Sequence, residues 1–521
     1  MKLRFGASAA EHCVSSFQPL RMRFLSRVAL CIALVACGGA ESSGPPSTLE
    51  SPGLRVTGAS LTDTVDAMLP RALFAHVVAS DGKPASGIDV TFTATRRSPN
   101  AVTPIAPTLV MSMSATGSFS SPVVATTNAQ GDASVFVRTG TVAGTGTVVI
   151  TVPTLGLTDT AKYTVQPGSV SAVSVAPADT AVFVGGSVML RANAVDRHGN
   201  PRADAVTISV SRAIASVQAA TITGTTIGRA RVTATAGALS DTAGLSIVPH
   251  GTLVAQSIML GSAIELALYT FDLDGTNVRK VVTSVVAGTG FFGDLVPVWS
   301  ADGKFIFYHD DKLDQTRALW VYDVASGTTR RLTSGATALN HEAWPAVSRD
   351  GQWVYYNGSE LGGSTLYRIA PVGTNREQPG PSGLRTPSLS PEGTRVAAVN
   401  PASPSGGTGP IVVFDIASKR VTPLGVNAQS VAWSPVDERI AYITDFGTAL
   451  RMIYADGSGD RSLTSSVGFT GRVSWSPDGK YVVAHGLNTL TIVDVSTGES
   501  IPVPLSFKAA PFGFANPSWK P

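Results

Sequence analysis

The sequence predicts an all-β protein in which two β-sandwiches precede a six-bladed β-propeller, closed by strands from both ends of the propeller region. The chain holds 52 glycines and 33 prolines with only 14% charged residues, which is typical of turn-rich β-structure. Its 521 residues exceed what one hydrophobic core covers, so several domains are expected. Short alternating apolar runs fill the first half, and one motif recurs through the second half.

The recurring motif is clearest in "VSWSPDGKYVVAHG" at 473–486, with relatives such as "PVWSADGKFIFYHD" at 297–310. A period in the forties indicates the four-stranded blades of a propeller. The central residue of the motif should end an inner strand, and Ser476-Pro477-Asp478-Gly479 predicts a type I turn after it. The central residues lie 42 to 48 positions apart, at Trp299, Val347, Leu389, Trp433, Trp475 and Trp519.

A second motif, as in "LWVYDVASGTTRRLT" at 319–333, predicts the two outer strands of each blade. It occurs first near Phe271, before any copy of the first motif, and the first motif ends the chain in "NPSWKP". Because an open array would leave exposed strand edges, we expect Asn516–Trp519 to pair beside Leu253–Met259 and close the ring. The propeller is therefore assigned to 250–521.

The preceding residues divide into two predicted sandwiches, at 54–168 and 169–249. In the first, "FAHVVASDGKPASGIDVTFTAT" places a turn at Asp81-Gly82 between two alternating strands. In the second, "GRARVTATAGALSDTAGLSIVP" shows the same alternation. Both patterns indicate antiparallel sheets packed face to face.

These segments resemble known families. The D-G-x-P-x-x-G-x-x-V-x-F segment at Asp81–Phe92 and the T-x-x-x-G-x-A segment at Thr127–Ala133 resemble bacterial Ig-like domains of the invasin and intimin type, and 169–249 is similar to the shorter group-two kind. The W-S-P-D-G-K and D-x-x-x-G-x-x-x-x-L-T motifs resemble TolB-like, WD-type propeller repeats. TolB carries an N-terminal α/β domain that this chain replaces, so the resemblance implies the scaffold and not the Tol–Pal role.

The N-terminus predicts a signal peptide over 1–36, with Met22 as an alternative start. Two arginines precede a short apolar run, and Leu34-Val35-Ala36-Cys37 resembles the lipobox of bacterial lipoproteins. The resemblance implies cleavage before Cys37 and its acylation, which anchors the protein in a membrane. Gly38 at the next position favours the outer membrane, facing either the periplasm or the cell surface. Residues 37–53, rich in Gly, Ser and Pro, are expected to be a flexible tether.

Composition and motifs speak against several activities. Without 1–36 the chain has 34 basic and 35 acidic side chains and no basic stripe, so we expect no nucleic-acid partner. The three cysteines, Cys13, Cys31 and Cys37, lie in or at the edge of the leader, which excludes thiolate chemistry downstream. "HEAWP" at His341 lacks the second histidine of a zincin, and no G-x-S-x-G occurs. We therefore expect no cofactor, no metal and no catalytic residues.

Propellers bind ligands on the loops at one face, which gives a candidate site without a named ligand. A rim of mixed charge with an aromatic residue suits a protein or glycan partner, although most such positions are solvated loops. We expect a non-enzymatic, lipid-anchored envelope protein whose propeller binds an envelope or surface protein, the alternative being a glycan-binding or polysaccharide-degrading propeller. The rim residues, before inner strands or after second strands, are Asp294, His309, Asp310, Asp311, Glu342, Trp344, Arg385, Arg472 and Asn516.

Overall fold

The computed structural model describes residues 50–94, 108–204, 206–260, 264–286, 295–310, 317–333, 341–360, 363–401, 407–444, 447–464, 468–486, 490–503 and 514–521. Apart from short 3-10 turns, such as Pro153–Leu155, the regular structure in these ranges consists of β-strands. The predicted all-β class is confirmed. None of these residues belongs to a helix long and apolar enough to cross a membrane.

The first unit is a sandwich of a four-stranded sheet, in the order β1-β3-β7-β5, and a five-stranded sheet, in the order β2-β9-β8-β4-β6. Alternate residues of facing strands point between the sheets, so Val77 and Val135 pack opposite Phe92 and Ile150 in one buried core. The strands are β1 Gly53–Thr57, β2 Thr62–Thr64, β3 Leu73–Val78, β4 Asp89–Ala94, β5 Leu109–Ser112, β6 Val123–Thr126, β7 Asp132–Thr139, β8 Gly144–Val152 and β9 Leu157–Gln166.

The second unit is a smaller sandwich whose main sheet has the order β11-β18-β17-β14. The short sheets β10-β13 and β12-β16-β15 cover its core, in which Ile222, Val232 and Ile247 are fully buried. The strands are β10 Val170–Ala176, β11 Asp179–Phe183, β12 Ser187–Met189, β13 Arg191–Asp196, β14 Thr207–Val210, β15 Ala215–Gln218, β16 Thr221–Gly224, β17 Gly228–Ala236 and β18 Leu239–Val248.

Polar contacts join the second sandwich to the propeller. Arg212 forms an ion pair with Glu499, whose carboxylate also accepts the Arg229 backbone N–H at 2.9 Å. The Phe183 ring stacks on His250 with 4.5 Å between centroids, and Val248 belongs to the apolar cluster of the adjoining blades. The junction therefore combines apolar packing with charge-assisted hydrogen bonds.

The C-terminal unit is a propeller of six sheets. Five have four strands, and the sheet β26-β27-β28 has three in the described residues. The strands are β19 Thr252–Leu260, β20 Ile264–Asp272, β21 Arg279–Val286, β22 Pro297–Trp299, β23 Phe305–Asp310, β24 Ala318–Asp323, β25 Thr329–Arg331, β26 His341–Val347, β27 Val354–Glu360, β28 Gly363–Ile369, β29 Arg385–Leu389, β30 Arg395–Val399, β31 Gly409–Asp415, β32 Val421–Ala428, β33 Ser430–Trp433, β34 Arg439–Ile443, β35 Leu450–Tyr454, β36 Arg461–Ser462, β37 Thr470–Trp475, β38 Tyr481–His485, β39 Leu490–Asp494, β40 Ser500–Pro502 and β41 Phe514–Trp519.

The ring closes as the sequence predicts. Strand β41, the last in the chain, pairs antiparallel with β19, with Trp519 opposite Leu253 and Ser518 opposite Val254. One blade is therefore built from both ends of the propeller region, in the order β21-β20-β19-β41. Six apolar clusters fill the six gaps between neighbouring blades, so each blade packs against two others.

Candidate binding site in the propeller channel

The six inner strands, β22, β26, β29, β33, β37 and β41, surround the propeller axis, each in contact with the next. The central motif residue is the last residue of all six, as the repeat predicts. The opposite ends of these strands, with the ends of the second strands beside them, form what we call the channel mouth. Its polar residues are Gln256, His309, Asp310, Glu342, Trp344, Arg385, Thr386, Arg472 and Asn516.

Inner strands at the mouth depart from regular pairing. The register skips between Ala343 and Ala346 in β26, and between Arg385 and Ser388 in β29. The residue three before the end of its strand has a positive φ in three blades: 59° at Trp344, 48° at Thr386 and 50° at Asn516. Such bulges turn side chains out of the normal alternation, and strain of this kind concentrates at functional sites.

A chain of side-chain amides links neighbouring strands at the mouth. Asn516 donates its Nδ2–H to Gln256 Oε1 at 2.8 Å, and its Oδ1 accepts the Arg472 backbone N–H at 3.1 Å. The Leu295 backbone N–H also donates to Gln256 Oε1, at 3.2 Å. Both carboxamide oxygens are used in these bonds, whereas Gln256 Nε2, which is shielded from solvent, has no acceptor among the described residues. The Gln256 amide group is thus held in place by bonds to its oxygen, and its Nε2 can donate to a ligand.

His309 supplies a second donor, because its surroundings fix its tautomer. The Trp344 backbone N–H donates to His309 Nδ1 at 3.3 Å, so Nδ1 carries no proton. Burial lowers the pKa of His309 well below its usual range, and the charges of Arg317 and Arg472 lower it further. The ring is therefore neutral with its proton on Nε2, an atom with no hydrogen-bond partner in the described parts of the chain. Trp344 is half-buried beside it, with 6.3 Å between ring centroids.

Two carboxylates and two guanidinium groups complete the mouth. Asp310 and Glu342 are 1% and 3% exposed, and Ser284 donates its hydroxyl to Asp310 Oδ1 at 2.7 Å. Burial lowers the pKa of Arg385, and it lowers the pKa of Arg472 to about 10. Both guanidinium groups remain charged at neutral pH. Arg472 Nη1 is shielded from solvent and has no partner among the described residues.

Below the mouth lies an axial cavity of about 490 Å³, lined by all six inner strands and the turns that follow them. Arg472 lines the end of the cavity nearest the mouth. Part of its side chain is accessible from the cavity, so the residue is half-buried although its Nη1 atom is shielded. The residue before the last in each inner strand also lines the cavity, and all six are small or β-branched. They are Val298, Ala346, Ser388, Ala432, Ser474 and Ser518.

The serines of this set bind neighbouring blades together. Ser388 Oγ accepts the Trp433 backbone N–H at 2.8 Å, and Ser474 Oγ accepts that of Trp519 at 3.0 Å. Ser518 Oγ accepts the Trp299 backbone N–H at 3.3 Å, across the closure. Three of the six junctions between inner strands are therefore joined by a hydroxyl that keeps its own proton available for donation.

The structure corrects the predicted environment of the rim residues. His309 and Asp310 belong to strand β23 rather than to a loop, and Glu342, Trp344, Arg472 and Asn516 lie within inner strands rather than before them. They are buried or half-buried, not solvated, because the strands continue past the motif toward the mouth. Arg385 is the first residue of β29. Asp294, Asp311 and Cys37 lie outside the described residues.

Sequence reasoning missed Gln256, Thr386 and the three cavity serines. Gln256 lies in a segment with no recognisable motif. Thr386, in contrast, lies three positions before its central motif residue, as Trp344 and Asn516 do, so alignment of the repeats could have marked it. The serines carry a usable signal, since the position before the central motif residue is Ser in three of six repeats. Within the described residues, no three His, Cys, Asp or Glu side chains are placed to hold a metal ion.

Comparison with known proteins gives partial similarities. No family model matches the chain. A 104-residue stretch is 34% identical to part of an uncharacterized protein of Agrobacterium fabrum, covering 20% of this chain and only 34% of the curated relative it matches. The chain is similar to TolB from Acinetobacter baumannii, with TM-score 0.43 and 17% identity over 57% of this chain and 80% of that one.

An oligogalacturonate lyase in complex with manganese is also similar, with TM-score 0.31 and 13% identity over 48% of this chain and 73% of that one. The likeness concerns fold alone.

Proposed function

We propose that this chain is a lipid-anchored protein of the cell envelope that uses its propeller channel to bind a polypeptide partner without catalysis. The observation that carries the proposal is the group of hydrogen-bond donors at the channel mouth. Gln256 Nε2, His309 Nε2 and Arg472 Nη1 lack acceptors among the described residues. Because a buried donor without an acceptor destabilises the folded protein by about 1–3 kcal/mol, such a group is best explained by a ligand that supplies acceptors.

A binding role fits these side chains better than a catalytic one. Catalysis by a histidine base needs an imidazole whose pKa is near the working pH and a nucleophile within hydrogen-bond reach. His309 has a strongly lowered pKa, and its Nδ1 accepts a backbone N–H rather than facing a nucleophile. A neutral histidine in this setting acts as a fixed donor.

The rest of the chain supports delivery of the propeller to a partner. The lipobox at Leu34–Cys37 would attach the protein to the outer membrane, and 37–53 would allow it to pivot. Above the tether, the two Ig-like sandwiches would act as a stalk. The Arg212–Glu499 ion pair and the Phe183–His250 stack favour a fixed angle between the second sandwich and the propeller.

Site-specific photo-crosslinking in intact cells tests the binding site. A photoreactive phenylalanine replaces Trp344, which is half-buried at the mouth, and in a matched variant it replaces Tyr454, which is 40% exposed at the end of β35. We expect discrete crosslinked proteins from position 344 and none of the same bands from position 454. Identical patterns at both positions, or no crosslinks at 344 under several growth conditions, would contradict the proposal.

The membrane anchor has its own test. In cells fed an alkynyl fatty acid, the wild-type chain should carry the label and Cys37→Ser should not, because only the thiol of Cys37 can take the first acyl chain. An unlabelled wild type would show that the lipobox reading is wrong while leaving the binding site unaffected.

A glycan ligand is the second candidate, and Trp344 is the observation that favours it. Half-buried tryptophans beside hydrogen-bonding groups stack on sugar rings as well as on peptides. A glycan array separates the two. Saturable binding to one glycan class, lost in Trp344→Ala but retained in Trp353→Ala, would replace the polypeptide partner by a glycan.

A further inference from the structure

We propose that the axial cavity receives the carboxylate of an extended polypeptide segment, which Arg472 binds. The inference rests on the proposed binding function and names the chemistry of its ligand. The ionisable side chains in the described part of the cavity lining are all cationic, a feature that the mouth does not share.

Among the described residues that line the cavity, the ionisable side chains are two cations. They are Arg472 at the end nearest the mouth and Arg349 at the opposite end, which is formed by the turns after the inner strands and is called the turn end below. Arg349 is exposed and donates from Nη1 to the Pro435 carbonyl at 2.7 Å, which occupies part of its guanidinium group. An anion beside Arg472 would therefore meet a cation within low-dielectric walls and no acidic side chain from the described lining, while the terminal carboxylate of Pro521 lies at the opposite end of the cavity.

Three serine hydroxyls in the cavity lining can also act as donors. Ser388, Ser474 and Ser518 each accept a backbone N–H with Oγ, so each hydroxyl proton remains available to an acceptor in the cavity. Arg472 Nη1 has no partner among the described residues. A guanidinium group and hydroxyls together provide what a carboxylate requires, namely charge-assisted donors converging on two oxygens.

A carboxylate fits better than a phosphate. Phosphate sites usually gather several main-chain N–H groups at a helix N-terminus or in a glycine-rich loop. Here the lining consists of strands, and the backbone N–H groups of Trp299, Trp433 and Trp519 are already bonded to serine hydroxyls. One guanidinium group with hydroxyls balances one negative charge.

The walls favour a polypeptide over a sugar chain. The four lining tryptophans, Trp299, Trp433, Trp475 and Trp519, are at most 6% exposed, so none presents an open ring face for stacking. Trp433 Nε1 donates to the Asp437 carbonyl at 3.1 Å and Trp475 Nε1 to the Ala432 carbonyl at 2.8 Å, which leaves those indole N–H groups unavailable for sugar hydroxyls. Prolines and small side chains complete an axial space suited to an unbranched chain.

Tryptophan fluorescence of the purified full-length chain provides the test. Three probes are titrated: N-acetyl-Ala-Gly-Ala-Gly with a free terminal carboxylate, the same peptide as its amide, and N-acetyl-Ala-Gly-Glu-Gly-Ala amide. We expect saturable binding of at least one carboxylate probe, with the uncharged amide weaker by about tenfold or more. The two acidic probes show whether the carboxylate comes from a chain end or from a side chain. Equal binding of the acid and the amide would overturn the inference.

Variants and competitors sharpen the outcome. Arg472→Met should reduce binding of the acidic probe to the level of the amide, whereas Arg349→Met, at the exposed end of the same cavity, should leave most of it. Unchanged binding in Arg472→Met, or tighter binding of tetragalacturonate or inorganic phosphate than of either acidic peptide, would contradict the inference. If Arg472→Met does not fold, the affinities of the wild-type protein for the acid and for the amide still show whether the cavity binds a carboxylate.

The two proposals can fail separately. Crosslinks from position 344 without any carboxylate preference would leave a binding propeller whose cavity has another use. Carboxylate binding without crosslinks would overturn the cellular role and keep the cavity chemistry.

Discussion

The two ends of the inner strands have opposite characters. At the turn end, the same local hydrogen bonds recur from blade to blade. Ser300, Ser348 and Ser476 each donate a hydroxyl to the aspartate two residues later, at 2.5–2.7 Å, and accept the backbone N–H five residues later, at 2.9 Å. At the mouth, the polar side chains differ between blades, as with Gln256, His309 and Glu342, and three blades hold a non-glycine residue at positive φ. Local bonds that recur in several blades thus stabilise the turn end, whereas the mouth differs in side chains and backbone from blade to blade.

The bonds at the two ends of the inner strands also differ in how far apart their partners lie in the sequence. The turn hydrogen bonds form within six residues of chain, so they can specify each blade before distant strands meet. The mouth forms only when all six strands have assembled, because its bonds join positions as distant as Gln256 and Asn516. Residues at the mouth can therefore vary without disturbing the local signals that fold each blade.

Breaking the closure should have the largest effect. A chain ending at Ala515 loses most of β41, including Trp519, whose buried ring alone contributes about 3–5 kcal/mol. It also exposes the edge of β19 and removes the Ser518–Trp299 bond. We expect a large fall in the melting temperature, or aggregation, by calorimetry. The control ends at Lys520 and lacks only the exposed Pro521; an unchanged melting temperature for the longer deletion would refute closure by β41.

Loss of one turn hydroxyl should have an intermediate effect. Ser476→Ala removes the bond to Asp478 and leaves the buried Tyr481 backbone N–H without its acceptor. We expect the free energy of unfolding to fall by about 1–3 kcal/mol in urea denaturation. The matched control is Ser496→Ala, at an exposed turn where Asp494 still accepts backbone N–H groups. An equal decrease in the free energy of unfolding for both variants would mean that burial does not increase the contribution of the turn hydroxyl to stability.

The turn end could be predicted from the sequence and the mouth could not, for a physical reason. Proline, aspartate and glycine at fixed offsets encode a turn locally, and Gly479 has the expected φ of 67° with its N–H donating to the Ser476 carbonyl. The half-blade offset of the two motifs likewise predicted the β19–β41 pairing. The buried side chain of Asp310 is bound by Ser284, 26 residues away, and no local pattern records that. The repeat therefore predicts which strand ends meet at the propeller axis. It does not predict that these strands extend further and form bulges there.

Acid should weaken the turn end selectively. Hydrogen bonds from Ser300 and Ser348 lower the pKa of Asp302 and Asp350 respectively. Because the folded-state pKa values are depressed, their contribution is complete above the unfolded value of about 3.9 and is lost as the pH falls through the lowered values. We expect the difference in unfolding free energy between the wild type and Ser300→Ala/Ser348→Ala to stay constant down to about pH 4 and to shrink as the pH falls further toward about pH 2. A difference that stays constant over this whole range would show that these bonds do not distinguish the charged carboxylate.

Relief of strain at the mouth should have the smallest effect and the opposite sign. Thr386 is β-branched, has a φ of 48°, and buries an Oγ1 without a partner among the described residues. Thr386→Gly removes both the backbone strain and the unpaired hydroxyl. Together these outweigh the lost methyl contact and the added freedom of the unfolded chain, so we expect stabilisation by about 1 kcal/mol.

Asn516→Gly provides the comparison, because Asn516 has nearly the same φ, 50°, but its amide bridges Gln256 and Arg472. It should destabilise the protein by about 1–3 kcal/mol, since the Arg472 backbone N–H would lose its acceptor and Gln256 Oε1 one of its two donors. Chemical denaturation of both variants measures the contrast: two changes of the same sign would mean that the backbone strain, rather than the side-chain network, dominates the energetics of the mouth.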